Sequence, residues 1–184
     1  LNGERAFEVL QREGIGALIA TSTENVFYIS NYWSLGKRLG CGVEAYVILP
    51  LKDSPAIVAP LNEADLLVEN QTWIEDIRFY GEPGVDLGEP EDPPEETRLV
   101  MGLYSSASPE ADGASALLKA VEDKGLTGAK IALDTSGLGP AQYEHLKSKL
   151  KGAELVDGAD LLREIRLVKT EGEVERIKRA TAIT

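Results

Sequence analysis

The sequence predicts an α/β fold: a mixed, mostly parallel sheet of about six strands with helices on both faces. Three observations carry this. Short apolar runs alternate with longer amphipathic stretches, the rhythm of strands and helices in turn. Ala17-Leu-Ile-Ala20 is apolar throughout, as a strand buried on both faces is. Val43–Leu49 and Ala56–Ala59 flank the turn-rich Pro50-Leu-Lys-Asp-Ser-Pro55 and read as an antiparallel hairpin, which makes the sheet mixed.

The elements follow in order. Residues 2–14 read as a helix capped by Asn2, with Ala6, Val9 and Leu10 on one face and Gly14 at its end. After the strand at 17–20, Thr21-x-x-Glu24 has capping-box spacing and opens a short helix through Val26, Phe27 and Ile29. Residues 30–42 have loop composition, with Gly36, Gly40 and Gly42 beside the bulky Tyr32 and Trp33. The hairpin is followed by a helix over Leu61–Glu69 and a strand over Ile74–Tyr80. Residues 82–96 hold seven acids, four prolines and no base, which predicts an exposed loop. Thr97–Tyr104 fits a strand or one or two helical turns equally. A helix is expected over Pro109–Lys124, ended by Gly125, then a strand over Lys130–Asp134. A helix over Pro140–Leu150 carries proline in its first turn. A short strand over Glu154–Val156 and a helix marked by Leu161, Leu162 and Ile165 complete the domain.

The chain has 184 residues and a net charge of −12, enough length for one self-sufficient core and an appendage. Nucleic acid is disfavoured as a partner. Its phosphates call for clustered Lys and Arg, and the densest basic stretch, Arg163–Arg179, is interleaved with acids. There is no apolar run of membrane-spanning length, so no membrane partner is expected. Residues 1–13 read as a charged amphipathic helix, not a signal peptide. Leu1 in place of Met suggests that N-terminal sequence was removed. The single Cys41 precludes an internal disulfide and fits the cytoplasm.

The chemistry of a hydrolytic site is missing, and no catalytic or metal-ligating residue is assigned. His145 is the only histidine, lies mid-helix among Glu144, Lys147 and Lys149, and reads as a surface residue. Gly113-Ala-Ser115-Ala-Leu117 lacks the second glycine of a nucleophile elbow. Gly137-Leu-Gly139 follows a strand and precedes a helix, but position 142 is Gln and Pro140 removes a backbone donor, so dinucleotide binding is not expected. Asp134, at a strand's C-terminal end, and Glu44, in a strand, are too few to hold a catalytic metal. The simplest role for Asp134 is to cap the turn before Pro140.

The tail is the most informative stretch. Thr170 and Glu173 form a second capping box opening a new helix, with Val174, Ile177 and Thr181 on one stripe and Glu175 four residues before Arg179. That helix has strong start signals and no stop signal, so the natural chain is expected to continue beyond Thr184. This tail resembles the junction between the two domains of the creatinase/prolidase family, the pita-bread hydrolases. Three further stretches resemble that family's N-terminal domain in order. They are Gly16–Ala20 with Glu24-Asn-Val-Phe-Tyr28-Ile-Ser-Asn31, the hairpin ending Ile57-Val-Ala-Pro60, and Lys130–Asp134 with Gln142-Tyr-Glu-His-Leu146.

The resemblance implies a ribonuclease-H-like N-terminal domain over residues 1–167, with 168–184 beginning a connector helix into an absent C-terminal catalytic domain. It implies a non-catalytic role in dimer assembly and in walling the active site of an Xaa-Pro dipeptidase or aminopeptidase. The parent's two divalent ions (Mn, Co or Zn) would sit in the other domain, so this fragment carries no cofactor. The expected partners are that domain and a second copy of the chain. The substrate-wall or interface residues expected here are Asn25, Tyr28, Tyr32, Trp33 and Arg38. Phe27 and Tyr28 fit core packing as well, whereas Tyr32 and Trp33 are harder to hide in such a loop. The alternative is a non-catalytic protein-interaction module of the same fold, as in histone chaperones, whose acidic surface would suit basic partners.

Overall fold

The computed structural model describes residues 1–84, 88 and 91–183. Six strands form one sheet: β1 (Ala17–Ala20), β2 (Tyr46–Pro50), β3 (Ala56–Pro60), β4 (Asp76–Tyr80), β5 (Lys130–Leu133) and β6 (Glu154–Asp157). Their spatial order is β4-β3-β2-β1-β5-β6. The hairpin partners β2 and β3 run antiparallel, as do β1 and β2. The other three ladders are parallel. The mixed, mostly parallel sheet is thus the observed one, and β2 alone runs against its neighbours.

Nine helices surround the sheet among the described residues: α1 (Gly3–Arg12), α2 (Thr23–Ser30), α3 (Leu35–Arg38), α4 (Ala64–Glu69), α5 (Glu95–Ser106), α6 (Gly113–Asp123), α7 (Pro140–Lys149), α8 (Ala159–Leu167) and α9 (Glu171–Ile183). The pleat sorts the strand side chains. Leu18, Ala20, Val47, Ile57 and Ala132 face one layer, where Leu10, Ile29, Leu67, Leu162 and Ile165 of α1, α2, α4 and α8 cover them. Ala17, Ile19, Ile48, Val58 and Ile131 face the other, under Leu117 and Val121 of α6 and Leu146 of α7. Both faces are covered, which is why β1 and β3 are buried at every position.

Helix ends follow the capping signals with one exception. Asn2 accepts from the Arg5 amide, and Gly14 (φ 64°) turns the chain so that the Ile15 amide bonds the Leu10 carbonyl. Gly125 ends α6 in the same way, and Thr170 and Glu173 exchange both capping-box bonds. The exception is α2. Its cap is Ser22, whose hydroxyl accepts from the Asn25 amide, because the Thr21 hydroxyl donates instead to the Asp134 carbonyl at 2.5 Å.

For residues 97–104, open between strand and helix in the sequence, the helical alternative holds: they lie inside α5, which starts directly after Pro93-Pro94. Other expectations need correcting. β2 starts at Tyr46, not Val43, so Glu44 precedes the strand. There, bonds from the Tyr46 hydroxyl and the Gly113 amide to its carboxylate replace the ladder. The helix expected over 61–69 opens with a 3-10 turn at Leu61–Glu63. Glu175 pairs with Lys178 at 2.8 Å, where Arg179 was expected. Of the acidic 82–96 stretch, Glu82–Gly84, Gly88 and Glu91–Asp92 are exposed, while 85–87, 89 and 90 lie outside the described residues.

Candidate functional site

The outer face of α2 and the α8–α9 junction meet in a cleft of about 370 Å³, lined by Phe27, Tyr28, Trp33, Arg166, Lys169 and Ile177 among others. The sequence builds this face directly. In α2, Val26 and Ile29 point to the core, which leaves Phe27 and Tyr28 to face out. Asn31 closes α2 in the left-handed region (φ 65°), and the Trp73 indole and Thr72 hydroxyl donate to its terminal Ile29 and Ser30 carbonyls. Trp33 packs edge-on against Phe27 at 5.2 Å, and the Arg38 guanidinium lies 5.0 Å from the Trp33 ring. The Arg166 guanidinium lies 5.6 Å from the Tyr28 ring, and the Tyr28 hydroxyl accepts from the Asn2 amide at 3.1 Å. Burial raises the Tyr28 pKa, so it stays a neutral phenol. α9 has no buried residue, and its Val174 and Ile177 face solvent.

The five expected site residues divide between surface and interior. Tyr28, Trp33 and Arg38 reach the surface, and the first two line the cleft. Asn25 and Tyr32 are buried, which corrects their place in an exposed wall. Asn25 is a bridge: its amide donates to Asp134 at 2.8 Å and its carbonyl oxygen accepts from Arg166 at 2.9 Å. Asp134, also fully buried, accepts from the amides of Thr21, Ser22 and Ser136 and from the hydroxyls of Ser22 and Ser136. Burial alone would push this carboxyl up, but the bonds from Ser136, Asn25, Ser22 and Thr21 prevail and hold it below the usual carboxylate range. The expected turn cap is present, then, and the same carboxylate also ties β5 to the β1–α2 turn and, through Asn25, to α8.

Tyr32 is fully buried although its loop is rich in glycine. Its hydroxyl donates to Glu63, whose other carboxylate oxygen accepts the Gly36 amide at 2.7 Å. Burial raises the Tyr32 pKa further still beside that carboxylate. Glu63 was not singled out from the sequence. Its partners are 31 and 27 residues away, and no local spacing signals such a pair.

The remaining candidates resolve simply. His145 is exposed on α7. Gly137 does not cradle a ligand. A Cβ there would fall deep inside the Thr21–Ser22 backbone, so glycine is needed for close packing. The Gln142 side chain accepts the Gly139 amide at 2.9 Å, ending the resemblance to a dinucleotide loop. Among the described residues no group of His, Cys, Asp and Glu is placed to hold a metal ion, so no chemical step is derived through one. No helix among them is long and apolar enough to cross a membrane.

Comparison with known proteins fits this architecture. No curated protein matches the sequence. A prolidase from Pyrococcus horikoshii OT3 superposes over 99% of this chain and 39% of its own, at TM-score 0.62 and 19% identity. An X-Pro aminopeptidase from Thermotoga maritima MSB8 superposes over 96% of this chain and 38% of its own, at TM-score 0.61 and 18% identity. The present chain thus spans about two fifths of the length of those enzymes. A proline dipeptidase structure from Streptococcus pneumoniae TIGR4 is covered over 98% of its length by 91% of this chain, at TM-score 0.59 and 12% identity. At these identities the superpositions establish a shared fold. The Creatinase/Prolidase N-terminal domain family matches residues 4–168, nearly the whole described fold, and the chain belongs to that family.

Proposed function

We propose that this chain is the non-catalytic N-terminal domain of a metal-dependent Xaa-Pro dipeptidase or aminopeptidase, and that it serves dimer assembly and walls the active site. The observation that carries this reading is the cleft at the root of α9. There Tyr28, Trp33 and Arg166 converge beside a helix whose Val174 and Ile177 remain 38% and 50% exposed among the described residues. Such an aromatic, arginine-bearing face has the composition of an interface core. On this reading residues 168–184 lead into the catalytic domain, which holds the two divalent ions. The domain's own residues supply shape and exclude water. The single Cys41 suits a cytoplasmic setting.

Two measurements test the reading. Residues 1–184 supplied with Mn, Co or Zn should fold and give no hydrolysis of an Xaa-Pro dipeptide, and metal-dependent turnover by this chain alone overturns it. The alternative, an interaction module, is separated by the downstream sequence: an Asp-Asp-His-Glu-Glu set within roughly another domain's length supports the enzyme, and its absence supports the module. For the assembly part, light scattering should find residues 1–184 increasingly dimeric as concentration rises. A strict monomer at high concentration counts against a self-associating surface.

A further inference from the structure

Trp33, Leu35, Arg38 and Leu39 form the outward side of the segment that follows α2, with Leu35 50% and Leu39 67% exposed. Leu35 and Leu39 stand in solvent and Trp33 is only half-buried, so the outward side contributes little to holding the segment in place. What fixes it lies on its inner side. Tyr32 and Ser34 are buried, and the Ser34 hydroxyl caps α3 by accepting the Lys37 amide. The two ends of the Tyr32–Gly36 stretch both bond to one carboxylate, that of Glu63, which is itself buried on the turn entering α4. The fit is close: a Cβ on Gly36 would come within 2.5 Å of the Val43 Cγ2 and 2.9 Å of the Glu63 Oε1.

We propose that Glu63 is a positioning residue, a buried latch that holds residues 32–36 in the one conformation that turns Trp33 and Arg38 outward. Bonds to an ionised acceptor are the strong ones, and a single side chain holds two points four residues apart. The segment cannot hinge between them while both bonds stand. That this conformation serves the surface assigned above rests on that assignment. The latch itself can be read without any partner, so a failed latch and a failed surface give different results.

Native-state hydrogen exchange on residues 1–184 is the test. The Leu39 and Cys41 amides bond to Leu35 and Gly36 and touch Glu63 nowhere, so they report the segment and not the deleted partner. Glu63→Ala should speed their exchange by roughly tenfold or more relative to the β1 amides, the low end for loss of a hydrogen bond to a charged group. Tyr32→Phe, which keeps the ring in the core, should speed the same amides less. Glu63→Gln, whose carbonyl can accept from Gly36 while its amide donates to Tyr32, keeps both points tied by weaker neutral bonds and should fall between the parent and Glu63→Ala. A change of less than about twofold at Leu39 and Cys41 in Glu63→Ala overturns the latch. So does a change matched by β1, which would make Glu63 only a general contributor to stability.

Discussion

Asp134→Ala should cost about 4 kcal/mol of unfolding free energy at neutral pH, a large fraction of the roughly 5–15 kcal/mol that stabilises an ordinary domain. The carboxylate satisfies the amides of Thr21, Ser22 and Ser136 and the side-chain amide of Asn25. Deleting it leaves the donors of the buried Thr21, Ser22 and Asn25 without a partner, at about 1–3 kcal/mol for each one that finds no substitute, whereas the exposed Ser136 can turn to water. Asp134→Asn keeps the volume but offers one acceptor oxygen and turns an NH2 group towards donors, so about 2 kcal/mol is expected. Urea unfolding at pH 7 checks both. Asn within about 0.5 kcal/mol of the parent would sink the argument, because that is the scatter of an ordinary surface change.

The same carboxylate fixes a pH dependence. Its folded pKa lies below its unfolded value of about 3.9. Below that value the unfolded chain binds the proton more readily, so stability rises with pH across the interval. The contribution is therefore complete above about pH 5, begins to fade as pH drops through about 4, and is lost once pH passes the folded value. Asp134→Asn has no such proton to gain. The stability gap between parent and Asn variant should narrow on acidification from pH 5 to pH 3, and a gap that stays constant contradicts the assignment.

Most of the fold was legible because burial on both faces writes itself as unbroken apolar runs. Ala17–Ala20 came out with its observed bounds for that reason. α5 did not, because Val100 is its only buried residue and one buried position sets no periodicity. The site was legible only where it faces outward. Tyr28, Trp33 and Arg38 stand out as bulky or charged groups in a short span. Tyr32 looked similar, yet its fate is decided by Glu63, a residue on another element. Thr21 and Ser22 are equally good caps in isolation, and the choice falls to Ser22 because the Thr21 hydroxyl bonds to Asp134, 113 residues away. What local spacing could not deliver was the long-range polar pairing, since hydrogen-bond partners leave no period in the chain.

Gly137→Ala is the second change with a large expected effect, and it separates close packing from conformational freedom. Gly137 has an ordinary negative-φ backbone, so the added methyl meets no torsional penalty there. It does meet the backbone of Thr21 and Ser22, well inside van der Waals contact. A backbone obstacle cannot rotate aside as a side chain can, so the β1–α2 turn must move, and with it the amides that Asp134 holds. About 3 kcal/mol or more is expected, at the upper end for overpacking, and Tm should fall by roughly 6–12 °C for a chain of this size. Gly102→Ala is the matched control. Gly102 is exposed within α5 and nothing lies within 4 Å of its Cβ position. There the methyl should stabilise the helix by about 0.5–1 kcal/mol through propensity alone. Opposite signs for the same substitution would place the requirement for glycine at 137 in the neighbouring backbone, and a Gly137→Ala protein melting within about 2 °C of the parent would remove it.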